Sequence, residues 1–240
     1  MTCRLYLPQP LQTGHPVTLP TEQAHYLRQV MRLHPGDPII LFNGEGGEYA
    51  ARIEHLARDH SQCHIEEHIE VERELDCRIH VVQAACRSEK IETVLQKCTE
   101  LGAASFQIVR SERSDLKLDD NKRASRLERW QKIIVEAAEQ SGRTRVPEVN
   151  WRESLSAIEP AGLLFTLHPE AASDWFSSRD ILATAGDITL AIGPEGGWSP
   201  ADLQRLQTLK FQPLLFGSRI MRTETAAPAL VAAIAAVRQA

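Results

Sequence analysis

From Ile188 to Ile192 the chain is apolar apart from Thr189. Residues 193–197 then read Gly-Pro-Glu-Gly-Gly, and Trp198, Ser199 and Pro200 lead into a helical pattern. An apolar run this short, bounded by glycine and proline, suits a strand buried on both faces, as in a parallel sheet. Ser199 is placed to cap the following helix, Pro200 suits its first position, and Asp202 completes a capping box. Glycines let a backbone approach a ligand closely because no Cβ intervenes. The carboxyl end of a sheet strand is where α/β proteins bind ligands. The bland alternative is a tight structural turn.

The arrangement occurs again further on. Residues 213–216 read as a strand, Gly217 opens a loop, and residues 218–225 run into an alanine-rich helix over 226–238. Thr225 is the expected cap, which puts Pro228 in the first turn, where a missing N–H costs little. Arg219, Arg222 and Glu224 stand beside that cap. A third apolar strand, 163–167, ends on His168, Pro169 and Glu170. The glycine loop is neither GxGxxG nor a P-loop, and Glu195 would repel phosphate. The favoured ligand is therefore cationic, or offers hydroxyls and ring nitrogens, as an adenosine-containing sulfonium does.

The rest of the chain frames this site. Residues 1–72 read as a β-rich unit: a helix over 21–31 with a Thr21 cap, a strand over 38–42, a turn at 43–47, and alternating runs over 48–53 and 62–71. The charged stretch 70–74 is the expected linker. Beyond it apolar strands (78–84, 105–109 and the three above) alternate with helices (90–101, 121–140, 200–209, 226–238). That pattern indicates an α/β domain around a mostly parallel sheet over residues 73–240. His64 and His68 are four apart in an alternating segment, a spacing that merely puts them on one strand face.

The net charge of −5 does not advertise a nucleic-acid binder, but its distribution is uneven. Only residues 75–152 are net positive, with 15 basic and 12 acidic side chains, and phosphate binding depends on local surface rather than total charge. A solvated helical face is the plain alternative. Five cysteines without CxxC pairing argue for a reducing, cytoplasmic setting and against a disulfide framework or a cysteine metal site. No apolar run is long enough to span a membrane, and no metal is expected.

Residues 192–197 (Ile-Gly-Pro-Glu-Gly-Gly) and 217–226 (Gly-Ser-Arg-Ile-Met-Arg-Thr-Glu-Thr-Ala) together resemble the ribosomal RNA small subunit methyltransferase E family of the SPOUT superfamily. Residues 97–102, 111–114 and 136–141 resemble its central motifs, and 25–32 its N-terminal PUA-like segment, so the resemblance covers nearly the whole chain. It implies a small N-terminal PUA-like β-barrel domain, a SPOUT-type α/β domain with a C-terminal trefoil knot, and a homodimer. It further implies methylation of N3 of a uridine in 16S rRNA of the small ribosomal subunit. S-adenosylmethionine would lie against Leu167 and His168, against Ile192, Gly193, Pro194, Glu195, Gly196 and Gly197, and against Leu215, Phe216, Gly217, Ser218 and Ile220.

In-line methyl transfer needs no metal, because a sulfonium is already an activated leaving group, and positioning can supply much of the acceleration. N3 of uracil must lose its proton. A carboxylate could accept it, or an arginine could stabilise the anion on the uracil oxygens. Arg222 and Glu224 are the candidates in the last loop, with Glu136 or Arg113 arriving from the basic middle segment. For phosphate contacts the candidates are Arg110, Lys117, Lys122, Arg123 and Arg143, with Arg4, Arg28 and Arg32 in the N-terminal unit. Two rival readings are a non-catalytic RNA-binding or assembly protein and a SPOUT enzyme acting on transfer RNA.

Overall fold

The computed structural model describes residues 2–58, 60–114 and 120–238, the side chains of the last stretch from 122 onward. It contains two compact units: residues 1–74 with 138–146, and residues 75–137 with 147–240. Division of the chain therefore differs from a single cut at 72/73. Arg73, Glu74 and a nine-residue stretch far along the sequence go with the first unit.

The first unit holds β1 (Cys3–Tyr6), β2 (Pro16–Thr18), α1 (Thr21–Gln29), β3 (Pro38–Phe42), β4 (Glu48–Leu56) and β5 (Ser61–Ile69). Its sheet runs β1-β3-β4-β5-β2, with β1 parallel to β3 and the remaining pairs antiparallel. Leu5, Leu27, Ile39, Leu41, Ile53, Cys63 and Ile65 form its core. The β3–β4 hairpin turns on glycine for a definite reason. Gly47 has φ +68°, and a Cβ there would fall 2.4 Å from Nε2 of His68 and 3.2 Å from the Ile69 carbonyl oxygen. Between His64 and His68 the ladder shifts register opposite Ala50 and Ala51, so strict alternation does not connect the two histidines. Thr21 is the first residue of α1 rather than its cap; Pro20 precedes it without a side-chain cap bond.

Three charges of the expected linker, Glu72, Arg73 and Glu74, make specific bonds within the first unit. Glu48, 7% exposed, accepts from Arg73 at 2.8 Å and pairs with Arg4. Arg143 pairs with Glu74, and Thr144 donates to Glu72 at 2.9 Å. Arg4 also donates to the Arg143 carbonyl at 2.9 Å. The hydrogen bond from Arg73 outweighs burial and, with Arg4, holds the Glu48 carboxyl below its ordinary range.

The second unit holds β6 (Arg78–Ala84), α2 (Ser88–Glu100), β7 (Ala103–Val109), α3 (Asp120–Ser141, as far as Ala137), β8 (Glu148–Arg152), β9 (Leu163–Leu167), α4 (Trp175–Thr184), β10 (Asp187–Ile192), α5 (Pro200–Thr208), β11 (Gln212–Leu214) and α6 (Thr223–Arg238). The six strands run in the order β11-β9-β10-β6-β7-β8, every neighbour parallel. Val82, Ala84, Val109, Ala191, Trp198, Leu206 and Phe211 pack together as one core. From α2, Ile91, Val94, Leu95 and Cys98 are buried, as the helical spacing predicts. The helix α6 starts at Thr223, so Thr225 is not its cap and Pro228 lies inside it. Its start is fixed by tertiary hydrogen bonds of Thr223 rather than by the local cap signal.

Candidate active site

Sheet register brings the anticipated strand ends side by side. Leu167 of β9 pairs with Leu214 of β11, Thr166 with Ala191 of β10, and Ile192 with Gln83 of β6. After β10 the chain passes through α5 to β11, which lies beyond β9. The carboxyl ends of β9, β10 and β11 therefore open where the strand order reverses, the place where parallel sheets leave a crevice. A cleft of about 940 Å³ occupies it, lined by residues 167–169, 192–198 and 214–223 with Lys90 and Ala226. That volume suits a drug-sized organic molecule. Every residue expected to meet the cofactor lies in this lining.

Hydrogen bonds within the second unit fix the glycine loop. Ser199 and Asp202 form the capping box: the Asp202 amide donates to Ser199 Oγ at 3.0 Å, and the Ser199 amide to Asp202 Oδ2 at 3.3 Å. The buried Trp198 indole donates to Thr166 Oγ1 at 2.9 Å, and that hydroxyl donates to the Ala191 carbonyl at 3.0 Å. A Cβ on Gly193 would lie 3.4 Å from the Trp198 ring. Thr223 Oγ1 donates to the Gly193 carbonyl at 2.7 Å and accepts from Gln83 Nε2 at 2.9 Å. These bonds tie the first loop directly to the start of α6 and anchor Thr223 to a fully buried glutamine of β6.

The charged groups divide. Arg222 is exposed and lines the cleft. Glu224 is partly buried and meets Lys90 Nζ at 3.4 Å, and the same nitrogen lies 3.3 Å from Glu195. Loss of water around Lys90 opposes its charge, but the neighbouring carboxylates of Glu195 and then Glu224 raise its pKa above the ordinary value. Burial likewise works against ionised Glu195, yet its own amide and Lys90 bring its pKa below the carboxylate norm. Arg113 donates to the Gly196 carbonyl at 2.8 Å, so it grips the back of the glycine loop. Glu136 is exposed on α3 and does not line the cleft.

Residues 73–235 match the family described as RNA methyltransferase domain, and residues 19–66 match RNA methyltransferase PUA domain. A ribosomal RNA small subunit methyltransferase E from Synechocystis is 35% identical over 230 residues, covering 92% of this chain and 73% of the relative. The chain belongs to the ribosomal RNA small subunit methyltransferase E family. A family member from Neisseria gonorrhoeae, solved bound to S-adenosyl methionine, is 32% identical with a TM-score of 0.90 over 99% of this chain and 98% of that one. A Legionella pneumophila chain solved with its bound cofactor SAM is 34% identical, with a TM-score of 0.91 and 98% of both chains covered.

Within this family member the phosphate candidates are unequal. Arg110 and Lys122 are exposed. Arg123 pairs with Glu153, and Lys117 lies outside the described residues. Arg143 is only 5% exposed and held by Glu74, and Arg4 is turned onto Glu48 and over the Phe42 ring. These two do not fit the expected role: their guanidiniums serve the internal network of the first unit. Arg28 is half-buried on α1, and Arg32 is exposed with φ 54°. Sequence reasoning passed over Lys90, Gln83 and Thr166. Gln83 carried a signal, being an amide directly after Val81 and Val82 in a strand, where a buried polar group demands partners. Lys90 carried none, because a lysine in a first helical turn reads as solvent-facing.

Proposed function

We propose that this chain transfers the methyl group of S-adenosylmethionine to N3 of a uridine in 16S rRNA of the small ribosomal subunit. The observation that carries the reading is the cleft at the ends of β9, β10 and β11, whose two loops coincide with the motifs shared with the family. Glycine backbone at 193, 196 and 197 lets a ligand that offers hydroxyls and ring nitrogens, as adenosine does, approach the wall of the cleft closely. When bound, S-adenosylmethionine supplies an activated methyl group. The chain's own residues hold the pocket wall, exclude water and manage the uracil proton.

For that proton the geometry favours unequal roles. Glu224 is engaged by Lys90, whereas Arg222 stands exposed at the cleft and can stabilise negative charge on the uracil oxygens as N3 is deprotonated. Arg113 acts on the loop rather than on the reacting atoms. The homodimer belongs to the same proposal, supported by the apolar surface of Phe176, which is 81% exposed on α4. Two measurements test the reading. Calorimetry should show the purified chain binding S-adenosylmethionine, and 16S rRNA from a deletion strain should lack one 3-methyluridine by mass spectrometry. No binding, or an unchanged nucleoside profile, would sink it; a loss confined to transfer RNA would move the substrate.

A further inference from the structure

Three strand-to-helix connections converge on one ammonium group. Lys90 stands in the first turn of α2, which follows β6; Glu195 lies in the loop between β10 and α5; Glu224 lies in the first turn of α6, which follows β11. Lys90 Nζ lies 3.3 Å from Glu195 and 3.4 Å from Glu224, and its side chain is only 20% exposed. The lysine lines the same cleft as the two cofactor loops. One oxygen of Glu224 is enclosed and makes no well-directed hydrogen bond, so the charge of Lys90 is its compensation. A third feature ties in the neighbouring residues: Gln83, at the end of β6, donates to Thr223 beside Glu224.

We propose that Lys90 is a positioning residue of the methyl-donor site, cross-linking its two loops by holding Glu195 and Glu224 on one nitrogen. This rests on the methyl-donor reading of the cleft. Its physical basis is that two carboxylates drawn to a common point repel unless a cation lies between them. Without Lys90 they must separate, which parts the loops, or one must take up a proton. With it, both walls of the cleft are set before a ligand arrives, and preorganisation lowers the ordering cost of binding. Lys90 itself need not touch the reacting atoms.

The test compares Lys90→Met and Lys90→Arg with the intact chain, reading S-adenosylmethionine affinity by calorimetry from pH 5.5 to 8. The intact chain should bind with little pH dependence. Lys90→Met should bind about tenfold more weakly, a loss of ~1.4 kcal/mol, and its affinity should vary with pH because two facing carboxylates without a cation between them hold a proton more readily. Lys90→Arg, which keeps the charge, should restore affinity to within about threefold and flatten the profile. Absence of binding by the intact chain would defeat the methyl-donor reading itself. Binding by the intact chain together with an unchanged, pH-flat Lys90→Met would overturn the lysine's role alone. Should Lys90→Met fail to fold, Glu224→Gln carries the test, since it removes one arm and leaves Lys90 with Glu195. Weakened affinity is then expected, and undiminished affinity overturns the cross-link.

Discussion

The hydroxyl of Thr223 donates to the carbonyl of Gly193 at 2.7 Å, joining the start of α6 to the first residue of the glycine loop. Because Thr223 also accepts from the buried Gln83, Thr223→Val removes two bonds at nearly constant volume. The expected cost is about 1–2 kcal/mol in urea unfolding, with weaker S-adenosylmethionine binding. Thr223→Ser should retain most of both. Equal stability of the valine and serine variants would mean that the hydroxyl contributes nothing.

Arg113 grips a carbonyl of the glycine loop and does not reach into the cleft, so its loss should act on binding. Arg113→Ala is expected to raise KM for S-adenosylmethionine several-fold and leave kcat within about twofold, the pattern of lost uniform binding. A collapse of kcat at unchanged KM would return Arg113 to the reacting centre.

Among the arginines, exposure separates two outcomes. Arg110→Ala should lower the slope of log affinity for RNA against log salt by about one, as loss of one phosphate contact does. Arg143→Ala should leave that slope alone. It should instead destabilise the first unit by roughly 3 kcal/mol, because Glu74 is left enclosed without its cation. A changed salt slope in Arg143→Ala would restore it to the RNA surface.

The carboxyl of Glu48 lies below its ordinary value of 4.5, held there first by the hydrogen bond from Arg73 and then by Arg4. A depressed carboxylate contributes stability above its unfolded pKa and loses it as pH falls through the folded pKa. Glu48→Gln should therefore be less stable by about 3 kcal/mol at neutral pH. That gap should hold down to about pH 5 and shrink below the ordinary carboxylate value. Denaturant titrations of both proteins at several pH values check this; a gap that widens in acid would contradict it.

Much of the fold could be read in advance where local chemistry and tertiary demand agree. The strands 38–42, 78–84 and 163–167 stand with the bounds that their apolar patterns give. Ser199, Pro200 and Asp202 announced α5, and its capping box forms as they predict. β1 and β2 escaped notice because four and three residues are too few for alternation to register. The helix α4 could have been found: Asp174 caps it, accepting from the Ser177 amide at 2.9 Å. At α6 the local signal misled, since Thr225 reads as a cap while distant partners of Thr223 start the helix two residues earlier. The two cofactor loops were legible because glycine and a strand end leave a mark on sequence. Lys90 was not, because its meaning lies in two glutamates more than a hundred positions away.

Residues 138–146 belong to the first unit although most of the second unit's sequence surrounds them. Chain synthesis proceeds from the N-terminus, so the first unit cannot be complete when its five strands have emerged. Until Arg143 and Thr144 are made, Glu72 and Glu74 wait without the partners they hold in the finished structure. The molecule is thus assembled as an interrupted unit closed late, and a gene fragment ending near residue 72 would encode its strands without their clasp.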